Sequence, residues 1–193
     1  MKEKIAYYSR RLFDKHGFHG AALRDVCRLS GCKMPTIYYY YGSKEKLFDE
    51  VTRVAFEELE ARLWEQLPKK AGIKEHDIQM VIQKKHLSED ERTIYRLAQK
   101  TWLGFGDCEE SRRKLTEWEE DNLKNSLKKY RSITSSSMWA KFIARSVSAM
   151  IQRIILLEEK IPDKEIREEI GMIFEVVSNS HKNGPKERQQ SRN

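Results

Sequence analysis

Four consecutive tyrosines, Tyr38, Tyr39, Tyr40 and Tyr41, close a segment that opens with Gly31, Cys32, Lys33, Met34 and Pro35. A phenol packs through its ring, but its hydroxyl needs a hydrogen-bond partner when buried. Four in a row have no obvious use in a plain apolar core, because successive helical positions point in different directions. Flanked by Lys33 and Lys44, the row suits a helix presented to a polar, hydrogen-bonding partner. The chain carries 37 Lys and Arg against 30 Asp and Glu, a formal charge of +7. The first 50 residues hold ten of the basic and six of the acidic residues, so +4 of the +7 sits there. That concentration favours an anionic partner, and double-stranded DNA is the first candidate.

Other chemistries find little support. His16, His19, His76, His86 and His181 form no cluster in sequence. There is no Ser/His/Asp arrangement and no phosphate-cradling glycine loop, so an enzyme is not expected. Cys27, Cys32 and Cys108 are too sparse for a disulfide framework, and the spacing of Cys27 and Cys32 matches no common zinc site. No metal and no cofactor is expected, and reduced thiols in a cytoplasm are the plain reading. Met1-Lys2-Glu3-Lys4 has no apolar signal core, and no apolar run approaches the ~20 residues that span a bilayer. A cytoplasmic protein with no membrane partner is expected. With 39% hydrophobic and 35% charged residues in 193, the chain is long enough to bury a real core.

The elements that must position the tyrosines read as helix nearly throughout. Ile5, Tyr8, Leu12 and Phe13 share a helical stripe that ends at Gly17, a left-handed stop after His16. A short helix over 22–29 buries Leu23, Val26, Cys27 and Leu29. Gly31 makes the turn, where a positive φ costs glycine little. Pro35 fits the first turn of the next helix. Ser43 is a good N-cap for a helix running to about residue 67, with Leu47, Val51, Val54, Leu59 and Leu63 on its apolar face. Pro68 to Gly72 is the clearest boundary. Helices over 74–87, 89–104 and 109–130 follow, the second capped by Ser88 with Glu91. A long amphipathic helix over 137–160, widened by Leu156 and Leu157, is broken by Pro162 and followed by a last helix over 163–180. The polar tail, 182–193, is expected to be disordered.

Helix, glycine turn and helix over 22–41 form a helix-turn-helix layout, whose second helix fits a DNA major groove when its neighbours hold it at a fixed angle. Residues 5–61 resemble the DNA-binding domain of TetR-family transcriptional regulators. The resemblance is carried by Leu12-Phe13, Gly17-Phe18, Leu23-Arg24-Asp25-Val26, Gly31, Thr36-Ile37-Tyr38 and Ser43-Lys44-Glu45-Lys46-Leu47. It implies an all-α fold: an N-terminal three-helix helix-turn-helix DNA-binding domain over 1–67, and a C-terminal helical domain over 68–181 for ligand binding and dimerisation.

The resemblance also implies DNA contacts from Arg24, Lys33, Pro35, Thr36, Tyr38, Tyr39, Tyr40 and Lys44. Ile37 and Tyr41 are expected to pack inward, and one of Tyr38 to Tyr40 to be either an anchor or a contact. Lys33 and Ala22 stand where the family often has a small hydroxyl cap, and neither side chain can accept the capping hydrogen bond. The C-terminal region is expected to hold an unidentified small organic effector, with Met80, Tyr95, Trp102, Phe105, Trp118 and Trp139 as candidate pocket residues. Similar regulators dimerise by packing their last two long helices into a four-helix bundle, which here selects Val147, Met150, Ile151, Ile154, Ile170, Ile173, Phe174 and Val177. The functional expectation is a homodimeric repressor released from a palindromic operator by its effector. The alternative is a basic protein that binds DNA without sequence preference, or binds a membrane surface.

Overall fold

Gly17 and Gly31 shape the N-terminal third through backbone angles that side chains resist. Gly17 has φ 69° and ψ 178°, and kinks the first helix. Gly31, at φ 73° and ψ 21°, ends the second in the left-handed region. The computed structural model describes residues 1–105 and 108–182, the side chains of the last two excepted. The expected tail therefore lies outside the described residues, apart from the Lys182 backbone, as do Gly106 and Asp107 of the expected break.

The described elements are all helical. They are α1 (Lys2–Gly20), α2 (Leu23–Ser30), α3 (Met34–Tyr41) and α4 (Lys44–Asp49), which passes through a π-helical turn, Glu50–Val54, into α5 (Ala55–Glu65). Then come α6 (Ile73–Lys85), α7 (Glu89–Trp102), α8 (Glu109–Tyr130), α9 (Ser137–Ile155) and α10 (Asp163–Lys182). The Ser43 hydroxyl accepts from the Lys46 N–H at 3.2 Å, and Ser88 and Glu91 form a reciprocal capping box at the start of α7.

Gly17 does interrupt the helix, since its backbone is not helical; a further helical turn follows, and buries Phe18 against Phe13 and Phe48, with ring centroids 6.2 and 5.3 Å away. Two details differ from the expectation. Leu29 is exposed. The ninth helix stops at Ile155, not near residue 160; Glu158 takes φ 55° and the chain folds back so that Ile161 is buried while Leu157 points to solvent.

Two apolar cores organise the helices. Ile5, Phe13, Val26, Ile37, Tyr41, Leu47, Phe48 and Val51 form the first, joined by Leu97 and Cys108 from later in the chain. The second begins at Phe56 and gathers residues of α5 through α10. The change from one core to the other thus falls in the π-helical turn, well before Pro68. The two cores share a polar seam. Asp14 of α1 accepts from Arg96 Nε at 3.0 Å and from Lys100 Nζ at 2.7 Å, both on α7. Arg10 Nε donates to Asp90 at 3.1 Å, and the Ser111 hydroxyl of α8 donates to Asp49 of α4 at 3.0 Å.

Candidate nucleic-acid interface and ligand cavity

Helix α3 is two turns long, so its faces follow directly from position. Ile37 and Tyr41, four residues apart, share the inner face and are 0% and 6% exposed. Tyr39 lies opposite and is 83% exposed, while Tyr38 and Tyr40 flank it at 49% and 39%. All three phenols therefore stand at the surface, and the anchor of the tyrosine row is Tyr41 alone. Its hydroxyl donates to the Lys2 carbonyl at 3.3 Å, tying the end of α3 to the start of α1. Burial, and then the nearby Glu50 carboxylate, push the Tyr41 phenol up to about 12.

Arg24, Lys33 and Pro35 are exposed, and Thr36 is half-buried. Lys33 is the N-cap residue of α3 and Ala22 that of α2, and neither makes a side-chain cap. Asp25 N–H donates back to the Ala22 carbonyl at 3.0 Å and Thr36 N–H to the Lys33 carbonyl at 2.9 Å, and Pro35 has no N–H, so only Leu23, Arg24 and Met34 keep first-turn N–H groups for an outside acceptor. Lys44 begins α4 with its ammonium 4.8 Å from the centre of the Phe18 ring, a contact that steadies the charge near the helix start. Phenol hydroxyls, two lysines and an arginine thus stand on the outside of α2, α3 and the start of α4, and Val26, Ile37, Tyr41 and Leu47 lie in the core.

Among the described residues, no group of His, Cys, Asp and Glu could hold a metal ion. Cys27 and Cys32 lie with sulfurs 3.8 Å apart, and burial, then the Cys32 thiol, push Cys27 up to about 11. No described helix is long and apolar enough to cross a membrane.

The second region is an open cavity of about 700 Å³ lined by α5, α6, α7, α8 and α9. Of the residues predicted from sequence, Met80, Tyr95, Trp102 and Trp118 line it. Phe105 and Trp139 do not. Phe105 is exposed in the connection after α7, and Trp139 sits at the start of α9 with its ring 5.7 Å from Phe142. Size and aromaticity picked them from sequence, but neither lies on a helix face turned to the cavity. The lining also contains groups the sequence reading missed: Trp64, Glu60, Asp77, Gln99, Glu119, Lys129 and Tyr130.

The missed charges are largely matched. Lys84, 1% exposed, pairs with Glu60, and its ammonium lies 4.9 Å from the Tyr95 ring centre. Burial lowers the Lys84 pKa, and the Glu60 charge opposes that effect. Asp77 is fully buried, pairs with Lys129 and accepts from the Tyr130 hydroxyl at 2.7 Å. Glu119 differs. Burial, and then repulsion from Glu60, push its carboxyl up to about 7.

The residues predicted to form a dimer face also need correction. Val147, Met150, Ile151, Ile154, Ile170, Phe174 and Val177 are buried in the chain's own second core, and Ile173 is packed against it. α9 and α10 pack on α6 as well as on each other, and this consumes the wide apolar stripe. The apolar side chains that α9 and α10 leave exposed are Met138, Phe142, Met172 and Val176.

Fold and surface together define an all-helical protein with a helix-turn-helix unit joined to a cavity-bearing helical body. Residues 8–51 match the family described as bacterial regulatory proteins, tetR family. The chain is 35% identical over 65 residues to the HTH-type transcriptional repressor NicS of Pseudomonas putida, which is 32% of this chain and 31% of NicS. The match thus spans about a third of that relative's length. A transcriptional regulator from Rhodococcus sp. Rha1 superposes with a TM-score of 0.67 at 15% identity, covering 93% of this chain and 97% of its own. AibR, solved with isovaleryl coenzyme A and operator DNA, superposes with a TM-score of 0.68 at 13% identity, covering 90% and 97%. Residues 8–51 are thus similar to the DNA-binding unit of the tetR family, and the solved neighbours share the all-helical fold of the described chain.

Proposed function

We propose that the chain is a sequence-specific, homodimeric transcriptional repressor that leaves a palindromic operator when a small organic effector fills the cavity. The observation that carries this reading is the α3 surface: Tyr38, Tyr39 and Tyr40 all exposed beside Lys33, on a helix anchored from behind by Ile37 and Tyr41. Residues 1–67 act as the DNA-binding domain, and 68–181 as the effector-binding and dimerisation domain. Tyr38, Tyr40 and Lys44 hold phosphates, which fixes register without reading sequence. Arg24, Lys33, Thr36 and Tyr39 stand where base edges are reached, and Pro35 sets the entry of the helix.

The seam supports a route from cavity to DNA. Helix α7 presents Tyr95, Gln99 and Trp102 to the cavity and, from other faces, Arg96 and Lys100 to Asp14 of α1. A ligand that fits the cavity better in one setting of α7 biases the tilt of α1, and with it the separation of two α3 helices in a dimer. It must bind the two settings with different affinity, or nothing shifts. That AibR was solved with both an acyl coenzyme A and operator DNA is in keeping with this design. The dimer face is assigned to Met138, Phe142, Met172 and Val176, paired at four-residue spacing on α9 and α10.

The test compares binding to a palindrome from upstream of the chain's own gene with binding to random DNA of equal length, at one salt concentration. The expected preference is at least ~1,000-fold. A ratio near one supports the alternative of a basic protein without sequence preference.

A further inference from the structure

Two built-in cation sites of the same composition border the cavity. The Lys84 ammonium rests on a carboxylate, Glu60, and on the face of Tyr95 at 4.9 Å. The Lys129 ammonium rests on a carboxylate, Asp77, and on the ring of Tyr130 at 5.1 Å. A third carboxylate, Glu119, also faces the cavity, among Trp64, Tyr95, Trp102 and Trp118. Among the described residues no basic side chain pairs with it. Lys84 is committed to Glu60 and Lys129 to Asp77, while Arg145 is exposed at the rim. A half-buried carboxylate without a counter-charge is costly, and a cation between aromatic faces relieves that cost.

We propose that the ligand of this cavity is an organic monocation with a flat aromatic body, its charge seated at Glu119 and its rings between the tryptophans. The cavity volume of about 700 Å³ accommodates a molecule of two to four fused or linked rings. The raised Glu119 carboxyl, about 7, is what an unpaired acid beside Glu60 should show. This proposal rests on reading the cavity as the effector site. Its test uses protein without DNA, so failure of operator binding and failure of ligand class are read separately.

Three probes of matched shape distinguish the charge: N-methylquinolinium, methylnaphthalene and naphthoate. Each is titrated into the full chain at about pH 8, above the Glu119 value of about 7, and followed by quenching of tryptophan fluorescence. The cation should bind at least ~10-fold more tightly than either partner. Glu119→Gln should remove that advantage and leave methylnaphthalene binding intact, which shows that the cavity still folds. Glu119→Asp should keep most of it.

Cation affinity should also rise about 10-fold between about pH 6 and 8 in the parent chain, and stay flat in Glu119→Gln. The other groups facing the cavity are Glu60 with Lys84, Asp77 with Lys129 and His76, Tyr95, Tyr130, Glu120 and Arg145. All of them remain in that variant, so a surviving slope would assign the pH effect to them and overturn the role of Glu119. Naphthoate or methylnaphthalene binding as tightly as the cation overturns the proposal. So does unchanged cation affinity in Glu119→Gln, and so does no binding by any of the three.

Discussion

The α3 surface and the cavity handle polar groups in opposite ways. On α3 the hydroxyls and ammonium groups stand in water, with Tyr39 83% exposed and Lys33 free at its helix start. At the cavity the charges are withdrawn: Asp77 is fully buried and held by Lys129 and the Tyr130 hydroxyl, and Lys84, nearly buried behind the wall, is held by Glu60. The difference suits the two ligands proposed. A polyanion supplies many weak, screened contacts and gains from counterion release, so its surface can remain solvated. A small molecule offers few contacts, so each must act at low dielectric, where one unmatched charge changes the outcome. Helix α7 belongs to both regimes, with Tyr95 and Trp102 on the cavity and Arg96 and Lys100 on α1.

The comparison breaks most visibly at Lys84. Lys84→Met leaves the part-buried Glu60 without its cation and should cost about 3 kcal/mol of stability, read by denaturant unfolding. A loss under about 1 kcal/mol would mean that the pair is solvated and the cavity as wet as the α3 surface. On the other side, Lys33→Ala should weaken operator binding about tenfold and reduce the salt slope by about one, with stability within about 0.5 kcal/mol of the parent. Unchanged affinity and slope would remove Lys33 from the DNA surface. The joint between the regions is addressed by Asp14→Asn. Ligand affinity in the cavity should hold, while the ligand's effect on DNA binding shrinks by about 0.5–2 kcal/mol. An undiminished effect would show that α7 does not carry the signal through Asp14.

The two regions also differed in how much their sequences disclosed. The α3 surface is local: Gly31, Pro35, Tyr41 and Ser43 lie within thirteen residues, and the 37/41 spacing alone orients the helix. The inward turn of Tyr41 follows from that spacing, whereas whether one of Tyr38 to Tyr40 is also an anchor was left open by it and is decided by the rotation of the helix, which exposes all three. The cavity is assembled from five helices, and spacing along one helix does not say which neighbour it faces. Aromatic size found Tyr95, Trp102 and Trp118, yet it also pointed to Phe105 and Trp139, which face elsewhere. Glu60, Asp77, Glu119 and Lys129 looked like ordinary solvated charges on charge-rich helices. Only the adjacency of Glu119 to Trp118 gave a faint local signal. The stripes of Ile151, Ile154, Ile170 and Phe174 read as a partner surface because α6, which covers them, lies far away in sequence.

The central claim is that the exposed tyrosines of α3, and not the buried ones, meet DNA. Fluorotyrosine incorporated throughout the chain and assigned by single Tyr→Phe substitutions gives a fluorine NMR signal for each ring. Adding the preferred palindrome should shift or broaden the signals of Tyr38, Tyr39 and Tyr40, with the largest change at Tyr39. The signals of Tyr41 and the cavity's Tyr130 should hold their positions. DNA binding that leaves Tyr39 unmoved would contradict the account.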